Sequence, residues 1–286
     1  MAEASDGRGR VRRRAGLRLW LPSLWLGAVV LAALFAPWIA PKDPLAQDLF
    51  LGWMPPFWVQ GAEPGYLLGT DSLGRDVLSR ILHGARVAVT VALVAGTLTA
   101  LIGAILGLMA GFLRGWVDLV ISRMIDIWMA FPPVLFSILL IAVLGPGLTS
   151  IIIAIVVIDW TRFARVIRSE AMAQGAMDYV ASARVAGRGR WGTMVVEILP
   201  NVLPTIVVLL TLEMGVAVIV EAILSFVNLS ISTDDPTWGG MIAEGRASVH
   251  QAWWVLVFPL ITLFLTVLSC SQLGEGLKAR FDPVLR

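Results

Sequence analysis

Five carboxylates stand inside, or at the edge of, long apolar runs: Asp118, Asp126, Asp159, Glu213 and Glu221. A charge placed among acyl chains is costly, so such groups face a polar path, an ion or a pairing partner. Asp126 lies one helical turn from Arg123, and Asp159 one turn from Arg162. Both pairs sit near the ends of their runs, which predicts structural ion pairing. Glu213 and Glu221 lie deeper and have no base nearby in sequence. They are, with Asp126, the candidates for lining a polar pathway or for capping a neighbouring helix.

Other chemistry is poorly provided for. His83 and His250 are far apart and lack ligand-type neighbours, and Cys270 is the sole cysteine. A disulfide within the chain is thus excluded, and no metal site is expected. There is no H-E-x-x-H helix and no serine with an evident base. Gly187-x-Gly189-x-x-Gly192 matches a dinucleotide fingerprint literally, but no βαβ unit surrounds it, so it is read as coincidence. No G-x-x-x-x-G-K-[ST] occurs, so nucleotide hydrolysis by this chain is not expected.

The elements that position these groups follow from composition. Of 286 residues, 58% are hydrophobic and 15% charged, against about 25% charged in soluble domains. Mean hydropathy is +0.83. Six apolar blocks, approximately Trp20–Ala40, Val87–Met109, Ile125–Leu144, Leu148–Phe163, Val202–Val227 and Trp253–Leu273, predict six spanning helices. The first block exceeds the h-region of a signal peptide and ends without a convincing cleavage site, so it is read as retained. The fold class is therefore an all-α integral membrane protein.

Arginine placement orients it. With the N-terminus inside, the inner segments hold Arg8, Arg10, Arg12, Arg13, Arg14, Arg18, Arg114, Arg162, Arg165, Arg168, Arg184, Arg188, Arg190, Lys278, Arg280 and Arg286. The outer ones hold Lys42, Arg75, Arg80, Arg86 and Arg246. Both termini are thus expected in the cytoplasm. The division is a basic, disordered tail over 1–18, a first span over 19–40, an outer segment over 41–86, a core over 87–276 and an inner tail over 277–286. The tail suits topology setting and lipid headgroups; no nucleic-acid partner is expected.

In the first outer segment, Thr70 or Asp71 is expected to cap a short interfacial helix whose apolar face is Leu73, Val77, Leu78, Ile81 and Leu82, with Asp76 four residues before Arg80. The second, Asn228–Ala252, mixes turn formers with Trp238 and runs into Trp253 and Trp254, which suits a re-entrant or interfacial piece. Gly103, Gly107 and Gly111 form a flat stripe that allows close helix packing, either static or sliding.

Between the fourth and fifth blocks, within an inner loop of about 169–200, runs DYVASARVAGRGRWGTMVVEILP, Asp178 to Pro200. Ala181, Ser182, Ala183, Ala186 and Gly187 make a short helix of little bulk, ended by glycine. Such a helix can press its backbone into a groove of another protein, with Arg184, Arg188 and Arg190 at the rim.

This segment resembles the coupling loop of importer permeases of the ATP-binding-cassette class, E-A-A-x-x-x-G followed after nine residues by I-x-L-P. Here it reads Ala181-Ser182-Ala183-x-x-x-Gly187, then Glu197-x-Leu199-Pro200. Ala181 replaces the pattern's Glu and Glu197 its Ile, so contact there should rest on shape more than charge. Leu68-Gly69-Thr70-Asp71-Ser72-Leu73-Gly74-Arg75-Asp76, Pro236-Thr237-Trp238-Gly239-Gly240-Met241-Ile242, and Leu273-Gly274-Glu275-Gly276-Leu277 with Asp282-Pro283 resemble segments of the dipeptide, oligopeptide and nickel importer permeases, of the C type.

The resemblance implies a type I importer permease fold with a cytoplasmic coupling helix between spans 4 and 5, residing in a bacterial inner membrane. It implies a homologous B-type permease as partner, two cytoplasmic ATP-binding subunits that use ATP and Mg, and an extracytoplasmic binding protein. Asp178, Tyr179, Ala181, Ser182, Ala183, Arg184, Ala186 and Gly187 would couple to the ATPases. Di- and oligopeptides are the expected substrates, with nickel or glutathione as alternatives for the same machine. An ion-coupled secondary transporter is the alternative of another class, but six spans without an inverted repeat are few for one.

Overall fold

The computed structural model describes residues 3–229 and 235–281, with side chains from residue 19 onward. Residues 230–234, the Asp282-Pro283 end and Arg286 lie outside the described residues. Among those described there is no strand, only helices and one isolated bridge between Thr70 and Asp76. The helices are α1 (Glu3–Ile39), α2 (Val77–Leu113), α3 (Gly115–Met129), α4 (Pro133–Leu144), α5 (Leu148–Gln174), α6 (Asp178–Val185), α7 (Arg190–Thr193), α8 (Leu199–Phe226), α9 (Trp238–Ala247) and α10 (Trp253–Phe281). A π-helical turn, Met194–Ile198, joins α7 to α8.

Among the described residues four segments are long and apolar enough to cross a membrane: Leu19–Ile39 of α1, α2, the continuous run Arg190–Phe226 and α10. The third expected span is broken. Phe131 precedes Pro132, which disfavours helical backbone there, and α3 and α4 meet at 87°. If that pair is one span the count is five. The fourth expected span, α5, continues to Gln174 and holds Asp159, Arg162 and Arg165 in its first 18 residues, so it fails as a purely apolar crossing. The basic tail, expected to be disordered, continues α1 as helix from Glu3; arginine, alanine and leucine favour helix and no proline intervenes before Pro22.

The expected start at Thr70 or Asp71 is also corrected. Asp76 is the N-cap, its carboxylate accepting from Ser79 N at 2.8 Å, and residues 77–86 are simply the first turns of α2.

The centre of the bundle is the seam between α2 and α5, built on the glycine stripe. A Cβ on Gly103 would stand 2.9 Å from the Trp160 carbonyl, and one on Gly107 would stand 2.7 Å from the Ala164 carbonyl. One on Gly111 would meet the Arg168 carbonyl and, at 2.8 Å, the Ala171 Cβ. The two backbones touch because these positions lack side chains. The α8 helix lies across both, and α1 and α10 pack on the outside. Apolar clusters close the two ends. Phe112, Phe163, Ile167, Val180, Met194 and Ile198 gather where α6 sits. Val77, Ile81, Met241, Trp254 and Val255 gather where α9 sits.

Candidate functional site

The α6 element follows α5 after a three-residue turn and has two unlike faces. Val180 is fully buried among Phe112, Ile167, Met194 and Ile198, which seats the helix on the ends of α2, α5 and α8. Tyr179 packs against the same cluster and its hydroxyl donates to Gln174 Oε1 at 2.9 Å. Burial, then the nearby Glu197 charge, pushes that phenol above its ordinary value. Ala183 is half-buried. Asp178, Ala181, Ser182, Arg184, Ala186 and Gly187 are exposed, and so is Val185, at 90%. Of the eight residues picked from sequence, Tyr179 packs on the core cluster and Ala183 is half-buried, while the other six are exposed.

Gly187 ends the helix in the left-handed region, with φ of +84°. Its N–H donates to the Arg184 carbonyl at 3.0 Å and the Arg188 N–H to the Ala183 carbonyl at 3.1 Å. This is the Schellman arrangement, in which only glycine carries no steric cost. The arginines around it are tethered. The Arg184 guanidinium lies 5.3 Å from the centre of the Phe112 ring, Arg188 pairs with Glu197 at 3.3 Å, and Arg190 donates to the Leu113 carbonyl at 3.3 Å. The result is a firmly seated short helix offering small side chains and one bare aliphatic tip.

Four of the five carboxylates are organised along α5. Arg168 grips Asp118 of α3 with both Nε (2.5 Å) and Nη2 (2.8 Å). Arg165 reaches Asp126, also on α3, at 3.3 Å; the expected Arg123 pairing is not the one formed, because α5 faces that side of α3. Arg162 pairs with Asp159 at 2.8 Å, as expected, and lies 4.0 Å from Glu213 of α8. Glu213 is buried, and its Oε1 has no hydrogen-bond partner among the described residues. Glu221 lies two turns further along α8 and accepts from Ser225 Oγ. The structure thus joins Glu213 to Asp159 and Arg162, and it does not gather Asp126, Glu213 and Glu221 into one site.

At the opposite end stands a second charged cluster, in which Arg80 pairs with Asp71 and Glu244 and not with Asp76 one turn before it, whose carboxylate caps α2 instead. Asp71 Oδ2 accepts from Arg75 Nε at 2.7 Å and Arg80 Nη1 at 2.5 Å. Glu244 of α9 accepts from Arg75 Nη2 at 2.9 Å and Arg80 Nη1 at 2.6 Å. Burial would raise the Glu244 carboxyl, but the hydrogen bonds and charge of Arg80, then of Arg75, hold it below its usual range. Asp71 and Glu244 are far apart in sequence, so spacing alone could not find the cluster. Two indoles tie it down: Trp238 Nε1 donates to the Ile81 carbonyl and Trp254 Nε1 to the Thr70 carbonyl, both at 3.0 Å.

Residues 103–286, which include the glycine seam, α6 and both carboxylates of α8, match the family model of the binding-protein-dependent transport system inner membrane component. The chain belongs to this family. It is a multi-pass membrane protein and a transport component. It is 38% identical over 263 residues to the di/tripeptide transport system permease protein DppC of Pseudomonas aeruginosa, covering 92% of this chain and 87% of that protein. It is 36% identical over 258 residues to the dipeptide transport system permease protein DppC of Haemophilus influenzae, covering 90% and 88%. The Escherichia coli K12 dipeptide permease DppC is likewise 36% identical over 260 residues, covering 90% and 86%. The C-type resemblance read from three motifs therefore extends along nearly the whole chain.

Proposed function

We propose that this chain is the C-type permease subunit of an ATP-driven importer of di- and oligopeptides. The observation that carries it is the likeness to dipeptide permeases over nine tenths of the chain, joined to a seated small-residue helix of the kind an ATPase groove would take. In this reading the α6 end is cytoplasmic, as the arginine bias indicates, and the protein sits in a bacterial inner membrane with both termini inside.

The chain crosses six times. α3 with α4 forms the bent third crossing. α5 forms the fourth, its charges tolerated because Asp118, Asp126, Asp159 and Glu213 neutralise them. A homologous B-type permease forms the other half of the pathway. Two cytoplasmic ATP-binding subunits hydrolyse ATP with Mg, and an extracytoplasmic binding protein delivers the peptide. Val185, Ala181, Ser182, Ala186 and Gly187 enter the groove of one ATPase, and ATP-driven closure moves α6. Glu213 and Asp126 border the pathway through Arg162 and Arg165, while Glu221 supports α8.

The test is uptake of a labelled dipeptide into proteoliposomes holding the assembled importer. Val185→Asp puts a charge on the tip without touching the seat. The expected result is assembly with uptake and substrate-stimulated ATPase reduced at least tenfold. Full coupling in that variant overturns the role of α6. Uptake driven by a proton gradient without ATP would favour a secondary transporter.

A further inference from the structure

Residues 49–62 carry no charged side chain, and they are rich in aromatic and aliphatic groups: LFLGWMPPFWVQGA. They belong to the connection between α1 and α2, at the α9 end of the molecule. An extramembrane loop of that composition would normally bury its bulk, yet Phe50 is 93% exposed, and Leu49, Phe57 and Trp58 are also bare.

The loop is held, not loose. Asp48 N donates to the Leu73 carbonyl at 3.0 Å, Trp53 N to the Asp71 carbonyl at 2.9 Å, Met54 N to Thr70 Oγ1 at 2.7 Å and Thr70 N to the Met54 carbonyl at 2.9 Å. Each of these bonds ends on the segment Leu68–Asp76, which Asp71, Arg75, Arg80 and Glu244 pin to α2 and α9. The charged motif thus serves as the bracket on which the apolar loop is mounted.

Its depth can be read from a neighbour. Trp58 stacks edge-on against Phe258, with ring centres 6.0 Å apart, and Phe57 lies 5.0 Å from Trp58. Phe258 is five residues inside α10, an apolar spanning helix that starts at Trp253. At about 1.5 Å per residue that is roughly 7 Å below its start, and interfacial segments lie about 5–10 Å into the headgroup–acyl boundary. Trp253, 5.8 Å from Phe258, and the exposed Trp38 at the end of α1 continue the same band, and aromatic side chains favour this level. The loop thus meets α10 through Phe258, and Leu260, Ile261 and Phe264 further along that helix, like Leu34 on α1, are exposed apolar side chains.

We propose that residues 49–58 form a monotopic foot that inserts its aromatic face into the bilayer interface beside the spans, bracketed there by the Asp71–Arg75–Arg80–Glu244 cluster. The occupant of the face is lipid. This does not depend on what the importer carries.

The test uses the full chain with Cys270→Ser, reconstituted in bilayers of phosphatidylethanolamine and phosphatidylglycerol, and a nitroxide at Phe50→Cys. The reference is the same label at Glu63→Cys, an exposed charged position beyond the loop. Phe57→Cys gives a second reading should the Phe50 variant unfold, and circular dichroism reports folding of each. The expected result is several-fold greater relaxation of the Phe50 and Phe57 labels by oxygen than by chromium oxalate, with the reverse at Glu63. Labels at 50 and 57 as open to chromium oxalate as the one at 63 would overturn the proposal, because the face would be in water. Labels shielded from both reagents would also overturn it, in favour of a protein covering.

Discussion

Arg188 and Glu197 face each other across the turn after α6, Nε to Oε1 at 3.3 Å. Glu197 stands where the coupling-loop pattern that this segment resembles has Ile, and here the acid meets a base that the loop carries. Both side chains are partly exposed, and exposed pairs contribute about 0–1 kcal/mol. Glu197→Ile should therefore leave stability within about 1 kcal/mol of the parent. Arg188→Ala added to it should cost nothing further. Thermal melts of the four proteins of the cycle, in detergent, check this.

A glycine of the α2–α5 seam and a glycine of α1 should respond to alanine in opposite ways. Gly107→Ala places a methyl against the Ala164 carbonyl and the Ile167 Cβ, where nothing flexible can yield. Overpacking of that kind costs about 1–3 kcal/mol, so the melting temperature should fall. Gly27→Ala on α1 meets nothing within 4 Å. The better helix propensity of alanine, about 1 kcal/mol over glycine, should leave it neutral or slightly stabilised.

Gly187 tests the cap of α6 without a clash, since a Cβ there meets open space. Its positive φ is the sole obstacle. Gly187→Ala should cost about 1–2 kcal/mol of local stability from the left-handed backbone, and Gly187→Asn less. Hydrogen exchange should quicken for residues 178–188 in the alanine variant, while the amides of α2 and α5 stay protected. Equal exchange in both variants would show that the cap does not hold α6.

The charge cluster at the other end gives a pH dependence. The folded-state pKa of Glu244 lies below its unfolded value. The unfolded state therefore takes up its proton first as pH falls, and stability rises with pH through that region. The contribution is complete above about pH 4.5, the ordinary glutamate range, and is lost as pH drops through the folded value. Glu244→Gln should lower the melting temperature at pH 7 and flatten the acid limb of a melting-temperature profile. Asp71→Asn should be worse, about 3–5 kcal/mol, because it leaves two buried guanidinium groups short of their inner carboxylate.

The spans α1, α2, α8 and α10 were legible because uninterrupted apolar length is enough to identify them. α3 and α4 were not, since residues 127–144 carry no charge that would mark a break, and the break resides in the Phe131-Pro132-Pro133 geometry. The polar half of α5 was only partly legible: Arg162 finds Asp159 within its own helix, but Arg165 and Arg168 pair with carboxylates of α3, and periodicity within one helix does not reveal such partners. For the same reason Asp126 was matched with Arg123 rather than Arg165. The small residues of α6 were plain, but its orientation was not: Val180 and Val185 are equal in composition and opposite in setting. The Asp71–Glu244 cluster needed the fold to bring two outer segments together, although each half lay in a recognisable motif.

The glycine seam has a mechanical consequence. Because the α2 and α5 backbones interlock at three successive turns, the pair resists sliding, and a force on either is borne by both. α6 is fixed to the end of α5 and seated on Phe112 of α2. Together they make a stiff lever about 40 Å long over the 27 residues of α5. Its short arm is the exposed helix, and its far end stands among the helices beside α9. A small tilt imposed at α6 therefore arrives at the opposite end as a larger lateral displacement, without any residue between them changing its partner.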